Sequence, residues 1–253
     1  NVLLNAEKLG IDLSVAEDLV LSHHHQDHTG GLETLRRELT RRNPSALSRI
    51  HVAPGIFAPR PLADGSDRNP MVALRARIEA TGARFIVHDR PAEIAPGVWV
   101  TGFVPRVHEE RNYQVGPDRL LAREDGSTVP DIVPDSQSMV IVTPEGPIMI
   151  SGCGHAGMIN TLEHINARIS DLPPQAAIGG FHLFAATPEV MSWTSERIAE
   201  LGLRHFIGAH CTGIESVYEI RALAGLDRDT ARVGAIGTRY ESDRGIIPGN
   251  INR

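Results

Sequence analysis

The stretch Ser22-His23-His24-His25-Gln26-Asp27-His28-Thr29-Gly30-Gly31 constrains this chain more than any other. Residues 18–21, Asp-Leu-Val-Leu, are a short apolar run with β character, and residues 31–42 carry a helical pattern. The histidines therefore sit in a loop where a strand hands over to a helix, a place that a rigid scaffold can aim. In extended backbone residues 23 and 25 point the same way, and residue 24 points the other way. Asp27 and His28 follow at the turn. The plain alternative is a solvated polar loop with incidental histidines, but four imidazoles and an aspartate within six residues are an odd way to build a neutral loop. Imidazole and carboxylate are borderline donors suited to zinc, iron, manganese or nickel. They are also more donors than one tetrahedral ion needs, so two metal ions are expected.

The pattern His23-x-His25-x-Asp27-His28 resembles the signature of the metallo-β-lactamase superfamily. The resemblance implies that His23 and His25 hold one metal, and that Asp27 and His28 belong to a second. His24 then occupies a non-ligand position. The implied fold is α/β, an αββα sandwich. Such proteins usually carry several strands upstream of the histidines, so N-terminal strands are expected to be missing from a chain that starts at Asn1 without methionine.

The pattern downstream supports an α/β layout in one domain over residues 1–253. Helices are expected at 3–9, 31–42, 70–81, 158–169, 188–201 and 215–223. Strands are expected at 19–21, 49–53, 84–88, 98–104, 176–178, 205–208 and 232–236, with a hairpin over 138–151 turning at Gly146. Residues 105–136 break the rhythm with four prolines and many charges. They read as an insertion or lid near the site. Arg106, His108, Glu109, Glu110, Arg111 and Tyr113 are its candidate substrate contacts, against the alternative of a solvated loop.

Three later strands each end in a Gly-flanked histidine: His155 in Gly-Cys-Gly-His-Ala-Gly, His182 in Gly-Gly-Phe-His-Leu, and His210 in Gly-Ala-His-Cys-Thr-Gly. Strand C-terminal ends converge on active sites in α/β folds. The superfamily resemblance implies that His210 completes the second metal site. It also implies an acid after the hairpin strand, where this chain has Cys153 and then His155. Either Cys153 replaces the acid as a thiolate, or His155 binds; His182 is a further candidate ligand, and His108 a weaker one for the mid-chain histidine. Cys211 is expected to be structural.

These four segments together resemble one subgroup, the metal-dependent hydrolases of the β-lactamase superfamily, which includes archaeal proteins assigned as dihydropterin ribofuranosyl-aminobenzene phosphate synthases. The implied cofactors are two divalent ions, zinc first and manganese or iron next. The implied chemistry is a metal-activated hydroxide attacking an ester, lactone, amide or phosphoester. Asp27 would orient the nucleophile or handle its proton. His24, or His182 if it is not a ligand, would shuttle protons. The alternatives are a pterin-pathway synthase-like enzyme and a non-catalytic metal-containing binding or sensor protein. A di-iron redox protein ranks below them, because position 25 is His and no second domain is evident.

A small-molecule substrate is the partner the resemblance implies, and composition argues against two other classes. A net charge of −6 argues against a nucleic-acid role driven by a basic surface. Lys8 is the only lysine, so the cations are arginines. Two cysteines make no disulfide framework, and no apolar stretch approaches the ~20 residues of a membrane span. A cytoplasmic protein, with homo-oligomers allowed, is the expectation.

Overall fold

Apolar runs form strands and amphipathic runs form helices in close alternation. The computed structural model describes residues 2–110 and 119–249. The strands are β1 (Asp18–Val20), β2 (Arg49–Val52), β3 (Arg84–Val87), β4 (Ala92–Ala95), β5 (Val98–Val100), β6 (Leu120–Ala122), β7 (Thr128–Pro130), β8 (Ser138–Thr143), β9 (Gly146–Ser151), β10 (Ala176–Gly179), β11 (His205–Gly208), β12 (Ala231–Val233), β13 (Arg239–Glu241) and β14 (Gly245–Ile247). The helices are α1 (Val2–Lys8), α2 (Gln26–Thr29), α3 (Leu32–Thr40), α4 (Pro70–Glu79), α5 (Met158–Arg168), α6 (Pro188–Glu200) and α7 (Ile214–Leu223). By internal contacts the chain divides into two compact units: Asn1–Asp89 with Gln114–Asp135, and Arg90–Tyr113 with Ser136–Arg253.

In the first unit β1, β2 and β3 form a parallel sheet in that order. Ile50 on the central strand pairs with Leu19 and Phe85. Ile50, Val52, Met71 and Ile78 are fully buried in its core, each contributing about 1.5–3 kcal/mol by leaving water. Helix α4 starts where the sequence predicts. Asn69 accepts from Met71 N–H at 2.9 Å, and Pro70 stands at the first helical position, where its missing N–H costs nothing. From α3 the buried Arg36 donates to the carbonyls of Pro44, Ala46 and Thr81, so its guanidinium sits among acceptors.

The second unit holds a seven-stranded sheet, ordered β12-β11-β10-β9-β8-β5-β4. Strands β9 to β12 are parallel, and β4, β5 and β8 pair antiparallel. Ala176, Ala177 and Phe206 are fully buried, which is why the parallel strands read as continuous apolar runs instead of alternating ones. Val140, Met149, Ile159, Phe181 and Ile220 share one core around them.

The expected elements are present, with boundaries shifted by a few residues. Five hairpin strands were not expected as such. Strand β4, Ala-Glu-Ile-Ala, lacks β-branched alternation and pairs with β5 across a register shift. β13 and β14 form a two-stranded ribbon beyond the last expected strand. Residues 105–136, expected to be one irregular insertion, divide between the units, and their second half contains the β6–β7 hairpin. No helix among the described residues is long and apolar enough to cross a membrane.

Candidate metal centre

The first unit positions the histidine loop at the C-terminal end of β1. Leu21 N–H donates to His51 O at 3.0 Å, so the pairing with β2 holds right up to the loop. The chain then turns into α2, with His25 as the residue that precedes it at φ −57° and ψ 148°. Thr29 Oγ1 donates back to the carbonyls of His24 and His25 at 3.2 and 3.0 Å, tightening this single turn. The effect is to gather the imidazoles. Ring centroids of His23 lie 4.5 Å from His25 and 4.3 Å from His28. Donor nitrogens of His23 and His25 lie within 4.8 Å of each other, and Asp27 Oδ2 is 3.3 Å from His28 Nε2.

Ser22 Oγ sits 3.0 Å from Nδ1 of His23 and 3.4 Å from Nδ1 of His28. A histidine held at Nδ1 presents Nε2 to a metal, so one hydroxyl orients two rings. Burial, aided by the neighbouring His24, pushes the His25 imidazole down to about 4. It is neutral near pH 7, the form that binds metal.

His24 faces the other way, as the alternation requires. It is 2% exposed, and Asp135 accepts from its backbone N–H at 2.7 Å and lies 3.0 Å from its Nδ1. Burial alone would raise the Asp135 carboxyl. Hydrogen bonding from His24 and the Arg60 charge outweigh it and hold the group below its usual range. Arg60 and Asp131, both buried, complete this cluster. Asp135, Arg60, Asp131 and Ser22 are the residues that sequence reasoning missed. The first three stand in Pro- and Gly-rich loops with no informative spacing, and Asp135 is 111 positions from His24.

In the second unit β9, β10 and β11 end in register, with Gly179 opposite both Ser151 and Gly208. The three loops that follow leave from one edge and carry Cys153 with His155, then His182, then His210. Gly179 has φ 126°, and a Cβ there would lie 1.9 Å from Ser151 O, so only glycine lets these strand ends approach. Cys153 Sγ and a His210 ring nitrogen come within 4.8 Å. The His155 ring centroid is 4.9 Å from that of His182, which in turn packs 5.1 Å from Phe184. Thr212 Oγ1 donates to Gly179 O and accepts from Phe181 N–H, pinning the His182 and His210 loops together. Cys211 Sγ donates to Cys153 O at 3.7 Å.

The insertion candidates are tied to α5. Asn160 Oδ1 accepts from the N–H groups of Val107 and His108, and His108 Nε2 meets Glu163 at 2.7 Å. Glu110 accepts from Ile159 and Asn160 N–H at the start of α5, and Arg106 donates to Val104 O. Glu109 is exposed, and Arg111 and Tyr113 lie outside the described residues. Among the described residues, no group of three donors within 4.8 Å includes His108 or His182. A cleft of about 820 Å³ in the first unit is lined by residues 53–59 after β2, Val87 at the end of β3, and residues 122–125.

Comparison with known proteins decides the family. No family model matches the chain. The chain is 31% identical over 223 residues to 7,8-dihydropterin-6-methyl-4-(β-D-ribofuranosyl)-aminobenzene-5′-phosphate synthase of Methanocaldococcus jannaschii, covering 85% of this chain and 72% of that one. The fold is similar to that of a solved metal-dependent hydrolase of the β-lactamase superfamily, with a TM-score of 0.68, 26% identity, and coverage of 87% of this chain and 77% of the other. The chain belongs to the metallo-β-lactamase superfamily. Within it, the chain belongs with the dihydropterin ribofuranosyl-aminobenzene phosphate synthase-like proteins. A second relative, an uncharacterised protein of the same archaeon, is 25% identical over 225 residues, covering 88% of this chain and 77% of its own length. Divalent metal ions are the cofactors that superfamily membership implies. The donors found here, imidazole, carboxylate and one thiol, are chemically suited to them.

Proposed function

We propose that this superfamily member is a metal-dependent hydrolase with a binuclear site. The observation that carries the reading is the packing of His23, His25, Asp27 and His28 into one turn, with donor atoms already adjacent. His23 and His25 are assigned to one ion, and Asp27, His28 and His210 to the other. His155 and Cys153 are candidates for the mid-chain position, and His182 for a supporting one. Zinc is the first choice of metal, with manganese or iron next. When bound, such ions supply Lewis acidity and a water acidic enough to act as nucleophile near pH 7. The chain's own residues do the rest. Ser22 sets ring orientation, and His25 enters the site neutral. Asp27, exposed beside His28, is assigned the role of orienting a nucleophile or taking its proton. The 820 Å³ cleft beyond β2 and β3 opens at the same end of the parallel sheet as the histidine loop. It is large enough for the non-reacting part of a small substrate.

Elemental analysis of protein purified without chelator, followed by a panel of esters, lactones and phosphodiesters, tests this. About two zinc or manganese ions per chain with turnover on one class supports it. Metal without turnover on any substrate supports a binding or sensor protein instead, and two irons with colour would revive redox chemistry.

The 31% identity favours one second reading, a pterin-pathway synthase-like enzyme. Formation of the relative's named product, in place of hydrolysis, distinguishes it.

A further inference from the structure

We propose that Asp135 and Arg60 are positioning residues. They hold the His23–His28 loop from behind, through His24, and so set the chain's affinity for metal without touching it. The inference rests on the metal-site reading above.

The network is continuous and belongs to the first unit alone. Asp135 is 0% exposed. One carboxylate oxygen takes the backbone N–H of His24 at 2.7 Å, and the other takes Arg60 Nη2 at 2.6 Å. Arg60 Nε donates to Asp131 Oδ2 at 2.8 Å, and its Nη1 donates to the carbonyls of Gly55 and Ala58 at 3.0 and 2.9 Å. Asp131 in turn accepts from Val133 N–H at 2.9 Å. Val133, buried and β-branched, is held at φ 54°, a conformation such residues avoid unless their surroundings impose it. That turn delivers Asp135.

A fold-stabilising role alone does not account for this. A buried ion network is seldom better for stability than apolar packing of the same volume. What it adds is direction. The Asp135 contact reaches the peptide N–H and the side chain of the one residue between two proposed ligands, so it fixes both the path of the loop and its alternation. The charges point the same way, since one guanidinium faces two carboxylates behind the loop. Outer hydrogen-bond partners of metal sites are worth about 10–100-fold in metal affinity.

The test uses the whole chain in two arms, with Asp135→Asn and Arg60→Lys, and Arg49→Gln as a surface ion-pair control in the same unit. In the metal-free chain, amide hydrogen exchange is read over residues 22–30. Both variants are expected to speed exchange at His24, His28 and Thr29 while strands β9 to β11 keep wild-type protection. In the second arm, zinc affinity is measured against a competing chelator. Both variants are expected to weaken it by about 10–100-fold with the same number of ions at saturation. The control should change neither. Unchanged loop exchange with unchanged affinity overturns the proposal, and so does loss of protection throughout the first unit, which would mark a purely structural role. If the wild type takes up no metal, the metal-site reading fails, and the exchange arm still decides whether Asp135 and Arg60 hold the loop.

Discussion

His182 and His210 share one backbone angle, φ 51°, at the ends of adjacent parallel strands. Non-glycine residues held in the left-handed region cost about 1–3 kcal/mol and cluster where function needs an unusual side-chain direction. Glycine at position 210 should therefore be more stable than alanine there by about 1 kcal/mol, although both lose the imidazole. Chemical denaturation of His210→Gly and His210→Ala in parallel measures this. Equal midpoints would mean that the angle carries no strain.

Asp27 is exposed, so its removal should leave the fold intact, within about 0.5 kcal/mol. Asp27→Ala is expected to lose one metal per chain and nearly all turnover. His24→Ala should differ in kind, keeping metal stoichiometry while losing about 1–3 kcal/mol of stability, because Asp135 stays buried with fewer partners. Elemental analysis and denaturation of the two variants separate the roles. Retention of both metals and full activity by Asp27→Ala would remove it from the site.

Glu110 gives a pH signature. Burial pushes its carboxyl up to about 7, against the α5 amide hydrogen bonds that pull it down. The folded state thus holds a proton that the unfolded chain releases near 4.5. Stability from this group is fully present below pH 4.5 and is lost as pH rises through 7. Its side chain is half-buried, so the effect should be on the order of 1–2 kcal/mol. Glu110→Gln should flatten the stability profile between pH 5 and 8. An unchanged slope would show that the group titrates normally.

Gly179→Ala should cost more than about 2 kcal/mol, because its Cβ would collide with Ser151 O and its φ of 126° suits only glycine. Metal uptake should fall along with stability, since the His182 loop begins at this residue. A stable Gly179→Ala chain with unaltered metal content would show that the strand ends can separate without harm.

The sequence by itself determined the alternation of strands and helices, the strand–loop–helix setting of His23 to His28, and the glycine-flanked strand ends at His155, His182 and His210. These are local matters. Period-two and period-3.6 patterns, a Pro at a helix start and a Gly after a strand act over a few residues and can be read in one pass. His24 pointing away from His23 and His25 follows from the same alternation. Tertiary structure alone decided what His24 points at. Asp135 and Arg60 are brought to it by a strained turn at Val133 and by loops that carry no periodicity, and contacts across more than a hundred positions leave no trace in spacing. The same reason hid β4, whose Ala and Glu become a strand only because β5 offers an edge to pair with. It also hid the tie of His108 to α5, because a histidine beside a glutamate 55 residues away reads in sequence as a candidate ligand.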